Sequence, residues 1–330
     1  MIFEFSPWGV LISFGWLLCV PRELLVPVLV SLMIFCSPSI SVGLLLLVLL
    51  QIFSFVQSSV GMRRENNGVA QKRFMVVMAG AMIAIFGHAM GPCWQGRALG
   101  LLGLLLIIPN GFTTFFFARF YERLTLKSYL GAVVIPAFSA IAILFKWKNE
   151  IREDVGDGYG YAILGVGALT VLLAGAMGFS RLRIRPVLVF WTQLWIGFAV
   201  LALAATSDTL ISNTIATIAV FSVSGALLMS LASQIGRGSY VFARVAALGG
   251  PGFIGFMALF FVMKVLFELG LEWVMIGFIG FMVQAVTLIL CKPKTPMVSN
   301  RKARVRFWIV VGVQAIAGSG LSWLALGGPK

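Results

Sequence analysis

Residues 44–50 read Leu-Leu-Leu-Leu-Val-Leu-Leu, a run that is apolar on every side of any regular structure it could adopt. A strand of a membrane barrel would alternate apolar and polar residues, and a helix on the surface of a soluble domain would keep one polar face. The run therefore predicts a helix immersed in hydrocarbon. Outward from it the pattern repeats. Apolar segments follow at 8–20, 24–36, 39–60, 74–91, 98–117, 128–146, 158–178, 186–206, 210–235, 245–267, 273–291 and 307–326. A spanning helix needs about 20 apolar residues, and these stretches leave no room for a soluble domain. Of the 330 residues 60% are hydrophobic and only 11% charged, with a mean hydropathy of +1.02. A soluble domain carries about 25% charged residues. The expected fold is an all-α, polytopic membrane bundle. Pro21-Arg22-Glu23 divides the first two segments, which are either two thin spans or one kinked helix, so the expected count is eleven or twelve.

The loops carry a charge code. Arg63/Arg64/Lys72/Arg73, Arg119/Arg123/Lys127, Arg181/Arg183/Arg185, Arg237/Arg244 and the stretch from Lys292 to Arg306 are each net positive. The loops between them are neutral or acidic apart from Arg97: Glu150/Glu153/Asp154/Asp157 beside Lys146/Lys148/Arg152, then Asp208, then Glu268/Glu272. Positive loops stay on the cytoplasmic or matrix side, which places the C-terminus outside. The net charge of +14 is explained by loop retention and anionic lipid head groups. No nucleic-acid partner is implied. Arg301, Lys302, Arg304 and Arg306 are the expected docking residues for such lipids or for partner subunits.

Chemistry-bearing residues are sparse. Cys19, Cys36, Cys93 and Cys291 show no metal-ligand spacing, and His88 is the sole histidine. No catalytic residue, metal site or cofactor is expected in this chain, and the lipid-enzyme reading lacks a nucleophile–base pair. Met1–Trp8 has neither a basic n-region nor an arginine-rich amphipathic segment, so either there is no targeting peptide or it has already been removed. Two spans are interrupted, at 107–112 (IIPNGF, with Pro109 and Gly111) and near 248–256 (LGGPGF and following, with Gly250 and Pro251). Proline removes a backbone donor and glycine loosens the turn, so each helix should kink or unwind there. Paired breaks are either ordinary kinks or the mark of a transporter-type site between repeats. The candidate buried charges are Lys264, Glu268, His88 and Glu23. Lys264 is either a functional intramembrane charge or a snorkelling lysine paired with Glu268 at i+4. His88 reads as a hydrogen-bonded structural residue or a proton relay. Glu23 reaches an interface with Arg22, and Asp208 is expected to cap the helix that follows.

Several stretches together resemble the antiporter-like membrane subunits of respiratory complex I, closest to the subunit 2 type in a short, divergent form. Segment 160–198 (GYAILGVGALTVLLAGAMGFSRLRIRPVLVFWTQLWIGF) looks like that family's helix, basic loop and helix. Segment 247–262 (ALGGPGFIGFMALFFV) resembles its "GLPPLxGFxxK" broken helix, 109–130 occupies the place of its "PFHxWxPxxxxxxP…S", and 68–74 (GVAQKRF) resembles "EAAIKYF". The likeness covers residues 40–290 or so. It implies inverted repeats, here divided as 1–60 (N-terminal helices), 61–206 (first half) and 207–330 (second half). It also implies other complex I membrane-arm subunits as partners, and a multi-pass location in the mitochondrial inner membrane or a bacterial plasma membrane.

The resemblance further implies a glutamate and buried lysines along the midplane. Those positions map near Leu45, at Ile107 or Ile108, near Ala137 and at Leu259, all apolar here. Lys264 lies five residues beyond the last of them, about 140° around a helix. A proton relay needs titratable groups or water at each step. The expectation is a subunit that is mainly structural within an NADH:ubiquinone oxidoreductase, the alternative being an independent ion or solute transporter that uses Lys264 and Glu268.

Overall fold

The computed structural model describes residues 16–37, 39–59, 64–180, 183–291 and 301–325. The expected first span, 8–20, lies outside them save for its end, as does most of the basic stretch from Lys292. A short 3-10 turn, Arg22–Leu24, leads into α1 (Leu25–Cys36), followed by α2 (Ile40–Ser59), α3 (Arg64–Ala89), α4 (Trp94–Ile107) and α5 (Gly111–Arg123). Next come α6 (Leu126–Tyr129), a π turn (Leu130–Val134) and α7 (Ile135–Val155), which together form one continuous helix. The remainder is α8 (Asp157–Phe179), α9 (Ile184–Ala202), α10 (Asp208–Ile235), α11 (Arg237–Ala247), α12 (Ile254–Leu269), α13 (Leu271–Leu290) and α14 (Arg301–Ala325). Six of these helices are long and apolar enough to cross a membrane unaided. The chain is an all-α polytopic bundle.

Helix α7 is the axis of the N-terminal group, packed against α1, α2 and α4, while α10 contacts α9, α11, α12 and α14. Helices α8 and α9 pack closely on one another between the two. The core is aromatic. Trp191 and Trp195 meet Phe221 edge-on at 5.1 and 4.8 Å between ring centroids, and Trp16 donates its indole N–H to the Ala219 carbonyl at 3.1 Å. Lipids gain nothing from separating apolar helices, so association depends on close packing and small residues. Between α3 and α4 the backbones touch: a Cβ on Gly87 would come within 2.5 Å of the Gly100 nitrogen and the Gly96 oxygen. The opposite edge of α4 receives a tryptophan from α7, since a Cβ on Gly100 would come within 2.3 Å of Trp147.

Several helices run past the apolar segments that announced them. Helix α3 begins at Arg64 rather than at 74, and α14 at Arg301 rather than at 307. Helix α7 continues to Val155, so Lys146, Lys148, Glu150 and Asp154 lie on its final turns and not in a loop. The π turn frees the Gly131 carbonyl from regular pairing, and Ser54 of α2 donates to it at 3.0 Å.

Gly100→Ala should lower stability by about 1–3 kcal/mol through overpacking against Trp147. Gly165→Ala, on an open helix face, should leave the unfolding temperature unchanged or raise it. Thermal unfolding of the two variants in detergent micelles makes the comparison.

Candidate functional site

Two belts of charge bracket an uncharged interior. At the acidic end, Arg97 of α4 is 7% exposed. It binds Glu150 at 2.6 Å and Asp154 at 3.2 Å, and its guanidinium lies 5.2 Å above the Trp147 ring. The one basic exception to the charge code is thus neutralised by two acids from α7. Lys148 is 3% exposed and pairs with Asp208 at the start of α10. Lys146 donates to the carbonyls of Ile34, Phe35 and Ser37 at 2.7, 3.0 and 2.9 Å. It therefore closes the C-terminal end of α1, where carbonyls lack partners and the helix dipole favours a cation. Asp208 does not cap α10. Ser207 does, accepting from the Leu210 amide, because Asp208 already lies in the first turn, facing Lys148.

At the basic end, Arg73 is buried against Tyr121, donating to its hydroxyl at 3.2 Å. Glu23 pairs with Lys127 at 3.1 Å. Its own backbone amide and the Lys127 ammonium hold the Glu23 carboxyl below the usual carboxylate range. Arg244 and Tyr240 of α11 both bond the Cys291 carbonyl and so finish α13. Arg301, Lys302, Arg304 and Arg306 line the start of α14 with exposed side chains.

Between the belts the buried polar side chains are neutral. Ser31 meets Ser139 at 2.7 Å. The Tyr129 hydroxyl lies 2.9 Å from Thr192 Oγ1 and 3.1 Å from the Val189 carbonyl. Gln284 donates to Ala174 O, and Gln314 to Ser224 Oγ, each at 3.0 Å. Gln193 is fully buried, and both of its amide atoms lack a partner among the described residues. Gln51 is 2% exposed with an unpartnered Nε2. Sequence reading passed over these glutamines, although Gln51 in LLQIF and Gln193 in WTQLW stand out within apolar runs.

Both helix breaks are closed within the bundle. Asn110 accepts from the Thr113 amide, capping α5, and donates to the Leu105 carbonyl at 2.7 Å, satisfying the end of α4. The Gly111 amide bonds Thr170 Oγ1 at 2.8 Å, and a Cβ there would strike Leu169. At the second break Gly249 has φ +82°. The Gly250 amide turns back to the Val245 carbonyl at 2.9 Å, and α14 approaches so closely that a Cβ on Gly318 would come within 2.7 Å of Phe253.

The expected buried charges do not converge. His88 bonds Ser41 at 2.8 Å and meets the Trp147 ring edge-on at 5.1 Å, on the acidic side. Glu23 is at the opposite end. Lys264 is exposed on the outer surface of α12, not inside the bundle. Glu268 accepts from the Thr206 amide and hydroxyl and makes no ion pair with Lys264 among the described residues. Those bonds hold its carboxyl below the usual range. Of the four mapped midplane positions, Ile107, Ile108 and Ala137 are buried, Leu259 is partly buried, and Leu45 is 63% exposed on the outside. Leu45 therefore does not occupy an interior position, contrary to the alignment by motif order.

No protein-family profile and no curated protein matches the sequence. Solved structures do match. A chain of the Mrp complex from Dietzia sp. DQ12-45-1b superposes with a TM-score of 0.73 at 13% identity, covering 97% of this chain and 81% of that one. A chain of respiratory complex I from Thermus thermophilus gives 0.73 at 16% identity, covering 96% and 84%. A chain of the membrane-bound sulfane sulfur reductase, an archaeal respiratory membrane complex, gives 0.71 at 12%, covering 96% and 78%.

Asp208→Ala would leave the Lys148 ammonium buried without its carboxylate, whereas Lys148→Met replaces the cation by an apolar chain of similar length. Water reaches Asp208, which screens the pair, so Asp208→Ala should cost about 1–2 kcal/mol and Lys148→Met less. Thermal unfolding of both variants decides the order. The bundle shares its fold with chains of respiratory complex I and of the Mrp complex.

Proposed function

We propose that this chain is a membrane-arm subunit of a respiratory complex I, of the subunit 2 type, that contributes packing and lateral contacts without a proton relay of its own. One observation carries the reading. The bundle keeps an antiporter-like fold over nearly its whole length, yet its described mid-membrane interior presents serine, threonine, tyrosine and glutamine rather than lysine and glutamate. Such groups can orient water or one another, but none of them becomes charged near neutral pH. The buried cations Arg73, Arg97 and Lys148 lie in the two end belts, each matched to an acid or a phenol.

The reading places the chain beside other membrane-arm subunits in an energy-transducing membrane. We favour the mitochondrial inner membrane, because the motifs carrying the resemblance are so eroded, over the bacterial plasma membrane. Arg301, Lys302, Arg304 and Arg306 would meet anionic lipid such as cardiolipin, or the polar faces of neighbouring subunits. An independent transporter built on Lys264 and Glu268 finds no support in the geometry, since Lys264 points away from the interior.

Extraction in mild detergent followed by native electrophoresis tests the assignment. The expected result is co-migration with a band of many subunits that bears NADH dehydrogenase activity. Migration as an isolated chain that drives ion flux in liposomes would overturn it.

A further inference from the structure

Helix α14 presents one stripe whose chemistry changes in order along its length. Exposed Arg301 and Arg304 begin it, Trp308 follows at 59% exposed, then Gly312, then Ile316 at 74%. A step of three residues and then steps of four keep these positions on one helix face. A Cβ on Gly312 would meet nothing within 4 Å, so the face is notched between Trp308 and Ile316. Helix α11 stands alongside. Its Phe242 ring lies 6.3 Å from Trp308 and 5.3 Å from Phe253 at the helix break, and Val241 and Val245 are exposed next to it.

Charge marks one end of the stripe. No acid occurs anywhere from Lys292 to Lys330, so the head of α14 is strongly positive. Arg306 lies on another face, where Glu23 of the same chain feels its charge. Arg301 and Arg304 share the face that leads to Trp308. Guanidinium groups bond phosphate oxygens in pairs, and tryptophan settles where head groups give way to hydrocarbon. From Arg301 to Ile316 the helix rises about 22 Å, close to the depth of one leaflet with its head groups, about 20 Å. A partner helix would need an acid at one end and a flat apolar side beyond it. A phospholipid joins an anion to an apolar chain in that order within one molecule.

We propose that this stripe holds one phospholipid with a net-negative head group. Its phosphodiester lies between Arg301 and Arg304, and one acyl chain passes Trp308 and lies over Gly312 towards Ile316. The arginines select the head group, and the notch at Gly312 gives the chain a fixed place that bulk lipid does not have. The inference rests on the reading of these cations as lipid-facing, and adds which head group they take and where its chain runs.

The test uses the protein extracted in mild detergent with whatever it assembles with, placed in phosphatidylcholine nanodiscs. A trace of phosphatidylglycerol carrying a diazirine in its acyl chain is the probe. Light expels dinitrogen, and the carbene inserts into a nearby C–H bond, which mass spectrometry locates. The expected result is label on the Gly312–Ile316 stretch, with a phosphatidylcholine probe of the same chain labelling it about tenfold less. Arg301→Gln combined with Arg304→Gln should bring the two probes level. Gly312→Leu, which fills the notch, should lower labelling by the anionic probe at Ile316. Equal labelling by both probes in the wild type, or a preference that survives loss of both arginines, means ordinary lipid contact and overturns the proposal. If neither probe reaches α14 in the wild-type assembly, a protein covers that face; the proposal then fails while the subunit reading stands. A chain that migrates alone refutes the subunit reading, and the same probe comparison on that chain still decides the lipid site.

Discussion

Within hydrocarbon a peptide group has no water to bond, so every amide and carbonyl must find its partner inside the protein. This constraint organises the whole bundle. Regular helices satisfy it by themselves, and attention falls on the places where they stop. The α1 terminus is closed by Lys146, the α13 terminus by Tyr240 and Arg244, and the first break by Asn110 and Thr170. Several buried hydroxyls obey the same rule by donating one turn back along their own helix. Ser139, Thr214, Ser222 and Ser224 bond the carbonyls of Ile135, Leu210, Ile218 and Val220. A bundle built this way can carry polar side chains at depth without opening its backbone.

Charge follows from the same solvent. An ion at mid-membrane is costly, and the cations that are buried here are held in the end belts. Arg97 is shared between two acids and a tryptophan face, and Lys148 reaches an aspartate on another helix. The acidic belt also ties α4, α7 and α10 together, so its ion pairs fasten neighbouring helices at the outer rim. What remains between the belts is a set of neutral dipoles and an aromatic core around Trp191, Trp195 and Phe221. On the proposed reading, that interior serves packing and passes no proton on.

The spans were legible because hydrocarbon immersion demands runs like Leu44–Leu50, and both breaks were legible because proline and glycine mark them. Helix ends were less so. Lys146, Lys148 and Glu150 read as loop residues, since hydropathy reports the apolar slab and a helix continues past it when its charges find partners. The burial of Arg97 depended on acids more than fifty positions away, which no local pattern reveals. Which face of a helix turns inward was hardest to read in spans apolar all round, where nothing distinguishes lipid from core. Leu45 turns out, and its neighbours Leu44 and Leu47 turn in. Lys264 shows the same difficulty: its side chain is exposed on the outside of α12, a direction that no sequence pattern announced.

The account stands or falls on whether this interior moves protons. The direct measurement is the proton yield per pair of electrons in the reconstituted assembly, for the wild type and for Tyr129→Phe, Gln193→Leu and Gln314→Leu. The account predicts an unchanged yield in each variant that assembles at the wild-type level. A yield that falls in a fully assembled variant would place a working proton path through these neutral side chains and contradict it.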